Sequence, residues 1–135
     1  MTEMRALDKA APLRVLIADN DGRVRRALRA LLAAEPDIRV VGEAATVAEA
    51  LAQNNALHPA LILLDLLLPT ADDGLQLVRM LAGPPVVALS VRGGLHGAAF
   101  QAGAAAFVEK GSSAETLLAA IRAAARTAVR NQPDL

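Results

Sequence analysis

Several polar side chains close short aliphatic runs, and their types suit one kind of chemistry. Residues Leu13 to Ala18 run into Asp19, with Asn20 and Asp21 behind it; Leu61 to Leu64 run into Asp65; Val86 to Leu89 run into Ser90; and Ala105 to Val108 are followed by Glu109 and Lys110. Carboxylates brought together repel, and a bound Mg²⁺ relieves that repulsion through oxygen ligands while keeping several waters. A carboxylate beside such an ion can attack a phosphoryl group and form an aspartyl phosphate. A metal and a lysine would neutralise charge on the transferred oxygens, and a hydroxyl would donate to one of them. An Asp ending an apolar run is costly unless it is solvated or paired. Asp65, which ends the most apolar run, is the natural acceptor.

The elements that must position these groups follow from periodicity. Leu13–Asp19 reads as a strand. Val24, Leu28, Leu31 and Leu32 then recur at helical spacing, and Glu35-Pro36 ends that helix. Its arginines at 23, 25, 26 and 29 read as a solvated face. Ile38–Gly42 is a second strand. Thr46 and Glu49 have capping-box spacing and open a helix carrying Val47, Ala50 and Leu51. Leu61–Asp65, apolar on both faces, is the central strand of a parallel sheet. Pro69–Gly74 reads as a loop, Leu75–Leu81 as a short helix, and Val86–Ser90 as a fourth strand. Gly93, Gly94, Gly97 and Gly103 leave room for a weak helix around Leu95–Ala102. Ala105–Val108 is the fifth strand. Ser112 and Glu115 open an alanine-rich helix through about Arg130, with Leu118, Ile121, Ala125 and Val129 as its buried stripe.

Strand and helix alternate five times, which implies α/β architecture: a doubly wound, five-stranded parallel sheet with right-handed crossovers and helices on both faces. Functional groups in such sheets gather at the carboxyl ends of the strands, near the switch in strand order. Asp19, Asp65, Ser90 and Lys110 all sit there.

Composition narrows the class. One domain fits 135 residues. The 31 alanines inflate the 54% hydrophobic content, so Leu, Val and Ile must build the core. With no cysteine, disulfide scaffolds, Cys-based zinc sites and thiol catalysis are excluded. A net charge of +0 argues against a nucleic-acid-binding surface. Met1–Ala11 lacks the apolar core of a signal peptide, and the longest apolar stretch, Ala60–Leu68, is far short of the ~20 residues a membrane helix needs. The expectation is a cytoplasmic chain without membrane contact. Lysine is scarce, at two against 12 arginines, so Lys110 stands out as a compact ammonium where an arginine would serve as surface charge.

At these residues the sequence resembles the receiver domain of two-component response regulators. The matching stretches are Val15–Asp21, Leu61–Pro69, Val86–Ser90 and Ala102–Lys110, across roughly residues 13–130. Glu35–Ala44 and Lys110–Leu118 look most like the NarL/LuxR subfamily. The resemblance implies the flavodoxin-like (βα)5 receiver fold, with residues 1–12 as a flexible lead-in, 13–130 as the receiver and 131–135 as a tail or the start of a linker. It implies Asp65 as phosphoacceptor from a sensor histidine kinase. Mg²⁺ would be held by Asp19, Asp65 and the backbone carbonyl of Leu67, with Asn20 and Asp21 as further candidates. Ser90 and Lys110 would bind phosphate, and Ser90 and Phe107 would form the switch. Phosphorylation would then repack the face made by the fourth helix, fifth strand and fifth helix, controlling an output such as transcription. A second copy is a candidate partner, and DNA contact would belong to a separate output domain.

The sequence departs from the family pattern in four places. Asn20 stands where a second adjacent Asp is expected, and an amide brings no charge to Mg²⁺. Asp21 lies one residue further on and points a different way. Ser90–Gly103 is about two residues short and glycine-rich, whereas Pro69–Gly74 looks one residue long. Three leucines after Asp65 suggest an apolar loop limiting water access. Asn20 and the short glycine segment motivate an alternative: a phosphorylation-independent receiver used for binding or dimerisation. A nucleotide-binding enzyme is disfavoured, because Arg92 occupies a position where the Gly93–Gly97 segment would need glycine for a phosphate loop. Neither His58 nor His96 has a partner at metal-ligand spacing.

Overall fold

The computed structural model describes residues 11–130; the expected lead-in up to residue 10 and the tail from residue 131 lie outside the described residues. Within them the order is β1 (Leu13–Ala18), α1 (Gly22–Ala33), β2 (Ile38–Ala44), α2 (Val47–Leu57), β3 (Leu61–Asp65), α3 (Ala71–Met80), β4 (Val86–Ser90), α4 (His96–Ala102), β5 (Ala106–Glu109) and α5 (Ala114–Arg130), with a 3₁₀ turn at Gly93–Leu95 leading into α4. All strand pairs are parallel, in the order β2-β1-β3-β4-β5. This is the doubly wound, flavodoxin-like arrangement, and its order reverses between β1 and β3.

Alternation along the strands divides the core. Leu16, Ala18, Ile62, Leu64, Val86 and Ala88 face α2, α3 and α4 through Ala50, Leu77, Val78 and Ala99. Val15, Ile17, Leu61, Leu63, Val87, Leu89 and Val108 face α1 and α5 through Leu32, Leu117, Ile121 and Ala124. β3 is buried throughout, as a strand covered on both faces must be.

Local structure corrects several expectations. The segment Pro69–Gly74 is mostly helix. Thr70 caps α3: its Oγ1 accepts the Asp73 N–H at 3.2 Å and donates to Asp73 Oδ2 at 2.7 Å. Asp72 and Asp73 therefore fall in the first turn, where the helix dipole favours acids. Gly74 packs directly on the turn after β3; a Cβ there would run into the Leu66 carbonyl. Leu66 and Leu68 are fully buried, so two of the three leucines expected in an apolar loop belong to the core. The cap of α5 is Ser113 and not Ser112, since Ser113 Oγ accepts the Thr116 N–H at 3.1 Å. The buried stripe of α5 is correspondingly Leu117, Ile121 and Ala124; Leu118 and Ala125 only flank it, and Val129 is 71% exposed. β2 runs two residues beyond its expected end, and β5 starts and ends one residue later than expected.

Candidate functional site

The sheet register brings the polar strand ends to one level. Ala18 pairs with Leu64, Asp65 with Leu89, and Ser90 with Glu109, so Asp19 lies level with Asp65 and Lys110 just beyond Ser90. Asp19 is 1% exposed, Asp65 4% and Ser90 0%. Three buried polar groups in an otherwise aliphatic core must be partnered, and among the described residues no buried side-chain N or O atom lacks a hydrogen-bond partner.

The partners follow one pattern. Asp19 Oδ1 accepts the Asp21 N–H at 2.9 Å, Asp65 Oδ1 accepts the Leu67 N–H at 3.0 Å, and Ser90 Oγ accepts the Arg92 N–H at 3.0 Å. At the ends of β1, β3 and β4 the polar side chain thus holds the backbone two residues ahead, an Asx-type turn. The second oxygen of each carboxylate stays available. Lys110 takes both: its Nζ donates to Asp19 Oδ2 at 2.8 Å and to Asp65 Oδ2 at 2.9 Å. The Lys110 N–H donates to the Ser90 carbonyl at 2.9 Å, and the chain then turns at Gly111 with φ 95°.

Electrostatics follow from this packing. Burial pushes the Asp65 carboxyl above its usual range, and the Asp19 charge adds to that; the hydrogen bonds from Lys110 and Leu67 pull the other way without reversing the direction. For Lys110, burial alone would lower the ammonium, but the hydrogen bonds and charges of Asp19 and Asp65 outweigh it and the net direction is upward. One lysine therefore neutralises much of a pair of adjacent carboxylates.

Asn20, between these groups in sequence, is exposed. Asp21 is the N-cap of α1: its side chain is 41% exposed and accepts the Arg23 N–H at 2.9 Å. Phe107, on β5, is half-buried against the α4 side of the core. Its ring meets His96 edge-on at 5.4 Å, and His96 meets Phe100 at 4.9 Å. The glycine segment forms the 3₁₀ turn and a seven-residue α4.

The arginine face of α1 is not uniformly solvated. The Arg23 side chain is almost fully exposed, but Arg25 turns inward to donate to the Asp19 carbonyl at 2.6 Å and to Glu43 Oε1 at 3.3 Å. Periodicity gave no signal for this, since four arginines within seven residues look alike.

The side chains that the structure brings together as donors at the strand ends are the Asp19 and Asp65 carboxylates, both oxygen donors. Hard oxygen donors fit Mg²⁺, which commonly takes one or two carboxylates and completes its shell with water. Among the described residues no group of three or more His, Cys, Asp or Glu is placed to hold a metal ion.

Comparison with known proteins decides the family. The sequence model of the response regulator receiver domain matches residues 15–122. This chain belongs to that family. The receiver is 35% identical to protein-glutamate methylesterase/protein-glutamine glutaminase 5 of Myxococcus xanthus, over 92% of this chain and 40% of that protein. It is also 35% identical to the transcriptional regulatory protein LiaR of Bacillus subtilis, over 84% of this chain and 56% of that protein. The chain thus spans well under two thirds of these longer relatives. Among solved structures, the signal receiver domain of NarL from Mycobacterium tuberculosis superposes with a TM-score of 0.79 at 28% identity, covering 86% of this chain and 98% of that one. A LuxR-family response regulator from Aurantimonas sp. SI85-9A1 gives 0.81 at 27% identity, covering 87% of each chain. The NarL/LuxR-type resemblance of the sequence agrees with these neighbours. No helix among the described residues is long and apolar enough to cross a membrane.

Proposed function

We propose that this receiver is a phosphorylation switch in which Asp65 accepts a phosphoryl group from the histidine of a sensor kinase. The observation that carries this reading is the position of Lys110 Nζ, within hydrogen-bond distance of both Asp19 and Asp65. In the transfer, a carboxylate oxygen of Asp65 attacks phosphorus, an O–P bond forms, and the N–P bond to the donor histidine breaks. Bound Mg²⁺ would supply positive charge to the transferred oxygens, held by Asp19, Asp65 and the Leu67 carbonyl with Asn20 beside them. Lys110 is already in place to follow a phosphoryl oxygen on Asp65. Ser90 is one residue beyond the level of Asp65, and its hydroxyl would leave the Arg92 N–H to meet the phosphoryl group. Phe107, in the next strand, would occupy the released space, biasing the α4–β5–α5 face between two packings.

The wider role follows the same reading. Residues 13–130 act as a cytoplasmic switch with no turnover chemistry of their own, the kinase is one partner and a second copy is another. DNA contact belongs to a separate output domain, and the name of the relative LiaR, a transcriptional regulatory protein, supports transcription as the output. Intact-mass measurement after incubation with acetyl phosphate and Mg²⁺ tests the reading: one added phosphoryl mass, absent in Asp65→Ala, is expected. No added mass and no spectral response to beryllofluoride would overturn it.

A second reading has its own observation. Asn20 is uncharged, and Lys110 already satisfies both carboxylates. A receiver so balanced can serve as a binding or dimerisation module without phosphorylation. Wild-type output from Asp65→Ala, with no NMR response to Mg²⁺, would favour it.

A further inference from the structure

Arg25 is one residue among four arginines on α1, yet it alone reaches the peptide that carries Asp19. Its Nη1 donates to the Asp19 carbonyl at 2.6 Å. That carbonyl follows the last residue of β1 and lies in the turn to α1, where the ladder no longer supplies a partner. A guanidinium is a strong donor there because the bond is charge-assisted. The other side of the guanidinium is fixed: Nε donates to Glu43 Oε1 at 3.3 Å, and Arg29 Nη1 holds Glu43 Oε2 at 2.8 Å. Glu43 lies near the end of β2, and its own carbonyl accepts from Gln53 of α2. The Asp19 N–H meanwhile donates to the Ala44 carbonyl at 3.0 Å. The turn is therefore gripped from β2 and α1 at once.

We infer that Arg25, clamped by Glu43, is a positioning residue that sets how Asp19 presents its carboxylate to Asp65 and Lys110. This rests on the phosphorylation reading above. Arg25 touches none of the reacting atoms; it acts through the Asp19 backbone. Asp19 Oδ1 is tied to the Asp21 N–H, so a shift of the Asp19 peptide would move the carboxylate and weaken that bond. Charge alone is not enough: a lysine keeps the cation but lacks the planar fork that spans a carbonyl and a carboxylate together.

The test uses Arg25→Ala, Arg25→Lys and Glu43→Gln, with Arg26→Ala on the exposed face of the same helix as control. Phosphoryl incorporation from acetyl phosphate and hydrogen exchange of the Asp21 amide are read on each folded protein. Arg25→Ala is expected to slow incorporation about tenfold, as loss of one charge-assisted hydrogen bond allows, and to accelerate Asp21 exchange by a similar factor. Arg25→Lys should recover melting temperature more fully than it recovers the incorporation rate, and Glu43→Gln should fall between. Arg26→Ala should match wild type. Unchanged incorporation and unchanged Asp21 exchange in a less stable Arg25→Ala would reduce the clamp to a merely structural role and overturn the inference alone. A wild type that takes up no phosphoryl group overturns the phosphorylation reading, and the inference falls with it.

Discussion

Lys110 and Asp65 are separated by 45 positions, yet Nζ of one lies 2.9 Å from Oδ2 of the other. Neither side chain could hold that position alone. Asp65 ends a strand with no exposed residue, and Lys110 follows a strand whose last residue pairs with Ser90. The contact is a product of the sheet, and the receiver's charge balance depends on it.

Removing the lysine should therefore cost stability as well as function. Lys110→Met leaves two adjacent carboxylates without their cation in a nearly closed site, a loss of about 3 kcal/mol for a broken buried pair. Urea unfolding at pH 7 measures it. A double variant, Lys110→Met with Asp65→Asn, should recover more than half of the loss, since the unpaired charge is then gone.

The pH dependence has a definite sign. Asp65 has a folded pKa above its ordinary 3.8, so its contribution is favourable below that value and is lost as pH rises through the folded pKa. Asp65→Asn should then be more stable than wild type at pH 7, and the difference should shrink as pH falls towards 4. Lys110 is raised above 10.5, so its contribution is complete below that and disappears at higher pH. Thermal melts from pH 4 to 11 for both proteins check the two limbs.

Asn20→Asp should strengthen Mg²⁺ binding. An added carboxylate beside Asp19 brings a unit charge to a site whose ligand set has few; even with solvent screening, a gain of about tenfold in affinity is expected. Titration followed by amide shifts of Asp19 and Leu67 reads it directly. Equal affinities in the two proteins would show that residue 20 lies outside the ion's reach.

Gly74→Ala should be severe for so small a change. The new Cβ would meet the Leu66 backbone, which cannot move without shifting Asp65. Overpacking of this kind costs about 2–3 kcal/mol. The neighbouring exposed substitution Asp72→Ala, on the same turn, should cost under about 1 kcal/mol. Differential scanning calorimetry separates the two.

The sequence shows the strand ends clearly because their signals are strong: largely apolar runs of four to six residues that end at Asp19, Asp65, Ser90 or the Glu109-Lys110 pair. Once the strands alternate with helices, parallel pairing brings Asp19, Asp65, Ser90 and Lys110 to one edge. Elsewhere the sequence has weak contrast. In α5, alanine occupies so many positions that the buried stripe could be set on Leu117 or Leu118 with equal ease. The start of α3 was hidden because Asp72, Asp73 and Gly74 in isolation favour turns; the Thr70 cap, the two acids in the first turn and the packing of Gly74 on Leu66 together explain why a helix wins. Arg25 was indistinguishable from its neighbours because its role depends on Glu43, which is 18 residues away.

The repeated turn at the ends of β1, β3 and β4 has a thermodynamic consequence. Each polar side chain there is already fixed by its bond to the backbone two residues ahead. A metal ion arriving at the Asp19 and Asp65 carboxylates meets groups whose rotamers were selected when the chain folded, so little conformational entropy remains to be lost on binding. Calorimetry of Mg²⁺ binding should accordingly show a small heat-capacity change, since little apolar surface closes. The unfavourable entropy should also fall well short of that seen when a disordered loop must be ordered.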